Sequence, residues 1–450
     1  MSQPRPILIQ GGRIIDPVQG IDKVADLLVE DGVFKGTEEH ISAPEGALVI
    51  DARGLVVSPG FIDLHCHLRE PGFEYKETIA TGTRAAARGG FTTVCAMPNT
   101  NPVMDSRSIV ELVLRKGREE GAVRVLPIGA VTKGSKGQQL AEMGELSDAG
   151  VVGFSDDGRP VTDDNIMRQS LSYSSVVGLP IINHCEVPGL SAGGSMNEGW
   201  VSNRLGVKGV PNSAEEVMVA RDIALTALTR GRLHIAHAST AGTVELVRQA
   251  KDKGLSVTCE VTPHHLTLSE ETLLGYHDDG SAFGPLSKSA YDTSAKVAPP
   301  LRARGDVAAM VRALRDGTID FVATDHAPHS RVEKLCTLEE AASGISGLET
   351  ALGSLMSLVH AGDIPLPLLV ERLTSAPARF LGMDLGTLRT GAPADVTIFS
   401  PDQEWVVDAD SFASKGKNTP LDGATLRGKV VATIVGGEVK YQASGAAQDG

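Results

Sequence analysis

Eight short apolar runs punctuate the middle of the chain, at residues 60–67, 91–98, 123–131, 151–155, 180–185, 232–238, 256–262 and 321–324. Each is rich in β-branched residues, the pattern of strands buried on both faces of a parallel sheet. Between them lie segments with helical spacing, among them 78–88, 105–120, 165–177, 213–229, 240–253 and 304–316. Strand then helix, eight times over, predicts an α/β fold built on a (β/α)8 TIM barrel, in which chemistry sits on the loops that follow the strands. The flanks read differently. Residues 5–58 and the far C-terminus give short strands with turn signals, as in Ile7–Asp16 and in the run from Val430 to Val439. Neither end has enough strands for a sandwich of its own, so both are expected to pair into one small β-sandwich beside the barrel. The expected division is therefore 1–58 and 386–450 for the sandwich and 59–385 for the barrel. The Gly/Ser-containing tail after Tyr441 lacks any period and is expected to be mobile. A polar stretch from Gly275 to Ala295 reads as a long surface loop rather than a lid, since it shows no hinge pair of glycines.

The unusual residues fall where the strands end. His65 and His67 lie two apart on the first run, and residues i and i+2 of a strand point the same way, so both imidazoles can reach one ion. Asp157 follows the fourth run, His184 ends the fifth, His237 ends the sixth and Asp325 follows the eighth. Taken singly, a histidine there is more often a hydrogen-bonded core group and an aspartate more often a helix cap. Six such coincidences at one rim are harder to dismiss. Four His and two Asp suit a borderline divalent ion such as Zn²⁺, and the number suggests two of them. His264 and His265 are expected to stand behind such a site, His234 in the core, and His40, His277 and His360 at the surface.

Composition narrows the function classes. At 450 residues the chain exceeds one compact core, which agrees with a barrel plus a smaller module. A net charge of -14 argues against a nucleic acid or an anionic membrane as partner. No apolar stretch approaches a membrane span and the N-terminus lacks the form of a signal peptide, so a cytoplasmic location is expected. Cys66, Cys95, Cys185, Cys259 and Cys336 form no C-x-x-C pair, and four of them sit inside predicted strands. They are expected to be buried apolar groups in a reducing compartment.

The run His65-Cys66-His67-Leu68-Arg69-Glu70-Pro71-Gly72 resembles the signature of the dihydroorotases, in the cyclic amidohydrolase superfamily. Met97-Pro98-Asn99-Thr100, Ser155-Asp156-Asp157-Gly158, Asn183-His184-Cys185-Glu186, His237-Ala238-Ser239-Thr240, the run from Ala323 to His329 and that from Lys415 to Pro420 resemble further blocks of the bacterial class I branch, in one colinear order. The resemblance implies reversible cyclisation of N-carbamoyl-L-aspartate to (S)-dihydroorotate and water, a step of de novo pyrimidine biosynthesis. It implies two Zn²⁺ per subunit, one held by His65, His67 and Asp325, the other by His184 and His237, with Asp157 bridging. The bridging lysine of many superfamily members is absent, and this branch resembles the chain in using Asp. Asp325 would be the catalytic proton carrier. By the same resemblance His67, Arg69, Asn99, His329 and the backbone of Ser343 and Gly344 would hold the substrate, Arg69 supplying the planar cationic fork that a carboxylate needs.

Two departures stand out. Ala298 precedes Pro299-Pro300-Leu301-Arg302 where the class usually has Asn, and Ser343 precedes Gly344 where it usually has Phe. Three rival readings follow. A sister cyclic amidase of hydantoinase or allantoinase type would not need Arg69 and usually brings the bridging lysine. A catalytically silent subunit that scaffolds aspartate transcarbamoylase would have lost metal ligands, whereas all six candidates are present. A binding-only barrel would leave Asp325 and Arg69 unexplained. Beyond a small-molecule substrate, the expected partners are a second copy in a homodimer, on base rates, and an aspartate transcarbamoylase.

Overall fold

The structure, a computed structural model, describes residues 5–275 and 289–443. Most of the polar stretch expected as a loop at 275–295, His277, and most of the tail after Tyr441 lie outside the described residues.

The fold is mixed α/β. Phe61–Cys66 pairs in parallel with Phe91–Ala96, which pairs with Arg124–Pro127. Parallel bridges from Gly129 to Phe154 and from Phe154 to Ile181 carry the pairing onward. Ile181–Asn183, Leu233–Ile235, Val257–Val261 and Phe321–Val322 then follow side by side, all parallel. A last parallel bridge joins His326 to Cys66 on the first strand. The eight apolar runs thus pair in chain order and return to their start. The fourth run is bridged at Phe154, with main-chain bonds from Val152 to Pro127 and from Ser155 to Gly129 beside it. The chain is drawn out of the sheet just beyond it, where the Asp156 carboxylate accepts the Val131 and Thr132 main-chain N–H groups at 2.9 and 3.1 Å.

Helices cover the intervals, as the 3.6-residue spacing requires. Ile79–Arg88 opens on a Thr78 capping box, Asp164–Val177 on the Asp163 side chain and Ala241–Asp252 on Thr240. Each cap satisfies N–H groups that the first turn leaves free, typically about 1 kcal/mol.

Both chain ends meet in one eight-stranded sheet, in the order Glu438–Gln442, Thr425–Val435, Val396–Val406, Val56–Pro59, Ile7–Asp16, Ile21–Glu30, Val33–Glu38, with Leu48–Asp51 also paired to Ile7–Asp16. The seam is the antiparallel pairing of Val56–Pro59 with Val396–Val406. This sheet buries a core of its own that includes Ile9, Ile14, Leu27, Ile50, Val57, Ile398 and Ile434. It meets the parallel strands through Phe61, whose ring lies 5.8 Å from Phe91 and 6.0 Å from Phe399, and through the Arg124–Asp395 ion pair at 2.7 Å.

One buried carboxylate joins the two ends of the parallel circuit. Asp63 accepts the Thr324 main-chain N–H at 2.8 Å and its hydroxyl at 2.6 Å, and the His65 N–H at 3.3 Å. Burial pushes its pKa up to about 6, and the bonds from Thr324 oppose that rise. The neighbours on either side, His65 and Asp325, are thereby set against each other. Cys66, Cys95, Cys185 and Cys259 are buried and Cys336 is exposed. Among the described residues no helix is long and apolar enough to cross a membrane.

Candidate functional site

Five of the six proposed ligands converge in two overlapping triads, His65–Asp157–His237 and His65–His67–Asp325, each with one ligand atom per residue within 4.8 Å of the others. His65 Nε2 lies 3.4 Å from Asp157 Oδ1 and 3.5 Å from Asp325 Oδ1. His67 Nε2 lies 3.0 Å from Asp325 Oδ1 and 3.5 Å from Asp157 Oδ2. His237 Nε2 is 3.5 Å from Asp157 Oδ1. His184 stands one step outside the triads, its Nδ1 3.8 Å from Asp157 Oδ1 and 2.9 Å from His237 Nε2. All six are buried.

Local backbone re-aims three of the side chains. Asp325, His237 and Arg69 have φ of 45°, 35° and 61°, the left-handed region that bulky residues rarely adopt. Each comes just after its strand, where the chain turns out of the sheet. Such conformations cost of order 1–3 kcal/mol apiece and persist where the surroundings over-determine them.

The donor set fits a divalent cation. His65 Nε2, Asp157 Oδ1 and His237 Nδ1 are buried without a hydrogen-bond partner, although buried polar atoms are nearly always satisfied. The electrostatics point the same way. Burial opposes charge on both partners, yet His65 is raised well above the ordinary imidazole range by Asp157, Glu260 and Asp325, while Asp157 is held well below the carboxylate range, chiefly by His65. The carboxylates therefore demand positive charge at their centre, which a proton or a metal ion can supply.

A cavity of about 310 Å³ opens onto this cluster and is lined also by Arg69, Val297, Ala298, Ala327, His329, Ser343 and Gly344. Arg69 is not paired with Glu70. That carboxylate takes Lys116 at 2.7 Å and the Ile79 N–H at 2.9 Å. The Arg69 guanidinium instead donates to the Pro328 carbonyl at 3.3 Å and lies 3.3 Å from His329 Nε2. His329 is brought down to about 3 by burial and by the Arg69 and Lys76 charges, so its ring is neutral. Asn99, expected near the substrate carboxylate, also serves the cluster: its amide oxygen accepts from His67 Nδ1 at 3.0 Å and its amide nitrogen donates to Asp157 Oδ2 at 3.4 Å. Gly344 cannot carry a side chain. Its φ is 149°, and a Cβ would lie 2.6 Å from the Ala327 carbonyl oxygen.

Two site residues were given no role from the sequence. Glu260 is buried with one carboxylate oxygen 2.7 Å from His65 Nδ1, and a charged residue inside an apolar strand run was the available signal. Asn418 braces two loops at once, donating to the Ala327 and Gly344 carbonyls at 3.0 and 2.9 Å and accepting the His329 N–H at 2.9 Å. His234 is a core residue as expected, stacked on Phe321. His265 bonds Thr262 and the Pro299 carbonyl, and His264 is buried beside it. His40 and His360 are exposed.

Residues 54–243 match the family model described as "Dihydro-orotase-like". The chain is 49% identical over 436 residues to the dihydroorotase of Geobacter metallireducens, covering 97% of this chain and 99% of that one. It is 52% identical over 437 residues to the dihydroorotase of Pelotomaculum thermopropionicum, covering 97% and 98%. Among solved structures it resembles the L-hydantoinase (dihydropyrimidinase) of Arthrobacter aurescens, with a TM-score of 0.83 and 26% identity over 96% of this chain and 95% of that one. The dihydropyrimidinase of Brevibacillus agri shares the fold at a TM-score of 0.81 and 22% identity, over 98% of this chain and 97% of that one. Identity about twice as high, over nearly whole chains, separates the two groups of relatives, and on that ground the chain belongs to the dihydroorotase family of cyclic amide hydrolases.

Proposed function

We propose that this protein is a zinc-dependent dihydroorotase that interconverts N-carbamoyl-L-aspartate with (S)-dihydroorotate and water in de novo pyrimidine biosynthesis. The observation that carries the reading is a single cavity lined both by metal-type donors, Asp157 and His237 among them, and by the Arg69–His329 pair. A cyclic amide bearing a carboxylate has that polarity. We read the circuit of parallel strands as a (β/α)8 barrel over 59–385, and the sheet of both chain ends as a small β-sandwich over 1–58 and 386–450.

His65, His67 and Asp325 would hold one Zn²⁺, His184 and His237 a second, with Asp157 between them. Bound there, the metals would lower the pKa of water and polarise the ring carbonyl. The chain's own groups do the rest. Arg69 grips the substrate carboxylate with its fork, and neutral His329 supplies a hydrogen bond beside it. Asn99 keeps His67 and Asp157 in register. Asp325 takes the proton of the attacking water and passes it to the leaving ring nitrogen. In the closing direction it protonates the departing oxygen. Closure turns a carboxylate into a neutral amide and consumes a proton, so low pH favours the ring and high pH the open form.

The test is ring closure of N-carbamoyl-L-aspartate by the purified protein near pH 6, with metal counted on the same sample. Turnover with about two zinc ions per chain supports the reading. Bound metal without turnover moves the weight to a silent subunit, and aspartate transcarbamoylase is then added to look for rescue. Hydantoin or dihydrouracil opened faster than dihydroorotate would favour the sister amidases. The mass of the purified protein in solution tests the homodimer.

A further inference from the structure

The structure assigns Glu260 a positioning role: it orients the ring of His65 from behind and presents Nε2 to a divalent cation, an inference that rests on the metal reading above. Glu260 stands on Val257–Val261, two residues after Thr258, so both side chains leave the strand on one face. The neighbouring strand places His234 opposite Thr258. The side chains then connect in series. Thr258 Oγ1 lies 2.8 Å from His234 Nδ1, His234 Nε2 lies 3.2 Å from one Glu260 oxygen, and the other Glu260 oxygen lies 2.7 Å from His65 Nδ1. That second oxygen also receives the main-chain N–H of His237 at 3.4 Å.

The hydrogen bonds settle which ring nitrogens face Glu260. An ionised carboxylate only accepts, so the imidazole nitrogens that face it must carry hydrogen. With Nδ1 donating to Glu260, Nε2 is the His65 atom left to face the ligand cluster. That atom is buried, has no hydrogen-bond partner and faces the oxygens of Asp157 and Asp325 at 3.4 and 3.5 Å. Between two carboxylates that atom needs positive charge beside it, which a divalent cation supplies when bound. Glu260 itself is held from its far side. The His234 ring stacks on Phe321 at a centroid distance of 5.1 Å and an interplanar angle of 16°, and Phe380 lies 4.8 Å from it. One carboxylate therefore locks a ring and the start of a loop, and both belong to proposed ligands.

The experiment compares zinc affinity by chelator competition in the wild-type protein, Glu260→Gln and Glu260→Asp. Gln keeps the shape and must offer its amide nitrogen to one of the two imidazoles, so affinity should fall about 10- to 100-fold, the usual effect of removing such a partner. Cobalt-substituted Glu260→Gln should also show a shifted visible spectrum, and Glu260→Asp should recover part of the affinity. His234→Gln, which leaves His65 and Glu260 in place, should weaken zinc less and serves if Glu260→Gln folds poorly. Wild-type affinity and an unchanged cobalt spectrum in Glu260→Gln would overturn the assignment while leaving the dihydroorotase reading intact. A wild-type protein that binds no zinc would overturn both.

Discussion

His65 Nε2 and Asp157 Oδ1 face each other at 3.4 Å, both buried, and neither has a hydrogen-bond partner. A pair left so would cost several kcal/mol, because buried polar atoms forfeit their hydration without a replacement. A divalent ion held by both removes the cost. Stripping metal with a chelator should therefore abolish activity and lower the thermal midpoint, and zinc or cobalt should restore both. Ligand present at about 1,000 times its dissociation constant adds about 4 kcal/mol to folding stability. Thermal melts with and without chelator check this, and an unchanged midpoint would argue against a bound ion.

Asp325 lies 3.0 Å from His67 Nε2, and its pKa is held below the ordinary carboxylate range, chiefly by His65 and against the effect of burial. Asp325→Asn keeps the size and removes the proton acceptor. Turnover should drop about 10³-fold or more in both directions, since general acid–base groups contribute about 10²- to 10⁴-fold. The informative measurement is the forward and reverse rate on metal-replete variant. Near-normal rates with full metal content would remove Asp325 from its proposed role.

The Arg69 guanidinium is aimed by the Pro328 carbonyl and His329 rather than by a carboxylate of its own loop. Arg69→Gln should raise KM for N-carbamoyl-L-aspartate about 100-fold, the scale of a lost charge-assisted bidentate contact. Arg69→Lys should recover little of this, because an ammonium lacks the planar fork. Steady-state kinetics on both variants decide it. Equal KM values in all three proteins would place the substrate carboxylate elsewhere.

Ala298 lines the cavity where the class usually carries an amide. Ala298→Asn should lower KM about threefold to tenfold, the effect of one added hydrogen bond of about 1 kcal/mol. A raised KM would mean that the cavity wall has closed on the space an amide needs.

Lys334 is buried, and its ammonium donates to the carbonyls of Ala342, Thr293 and Lys296 at 2.6, 3.0 and 3.3 Å. Burial, with the Lys296 charge adding to it, brings its pKa down to about 7. Between about pH 7 and the unfolded lysine value of about 10.4 the unfolded chain binds more protons, so this residue makes stability rise with pH across that window and contributes no slope below it. Lys334→Met should lose that rise. Urea midpoints of both proteins at about pH 7 and pH 9 test it, and parallel changes in the two would rule the titration out.

Much of the site was legible because its determinants are local. Period-two geometry alone put His65 and His67 on one side of a strand, and the ligand types at the run ends announced metal chemistry. That the two chain ends come together was expected because neither has strands enough for a sandwich of its own; the structure joins them in one eight-stranded sheet. The family motifs then attached roles to single residues, including Arg69 and Asp325. Tertiary structure decided the rest. Asp325 reaches His67 across 258 positions of chain because the pairing circuit returns to its first strand at Cys66 and His326. Glu260 read as an anomaly in an apolar run until strand register set it between His234 and His65. Asn99 looked like a substrate contact and proved to be bonded to His67 and Asp157 as well. A sequence determines which way a side chain leaves its own strand, because that depends on the nearest backbone. Which group it meets depends on register and closure among strands far apart in the chain, and only the folded packing specifies those.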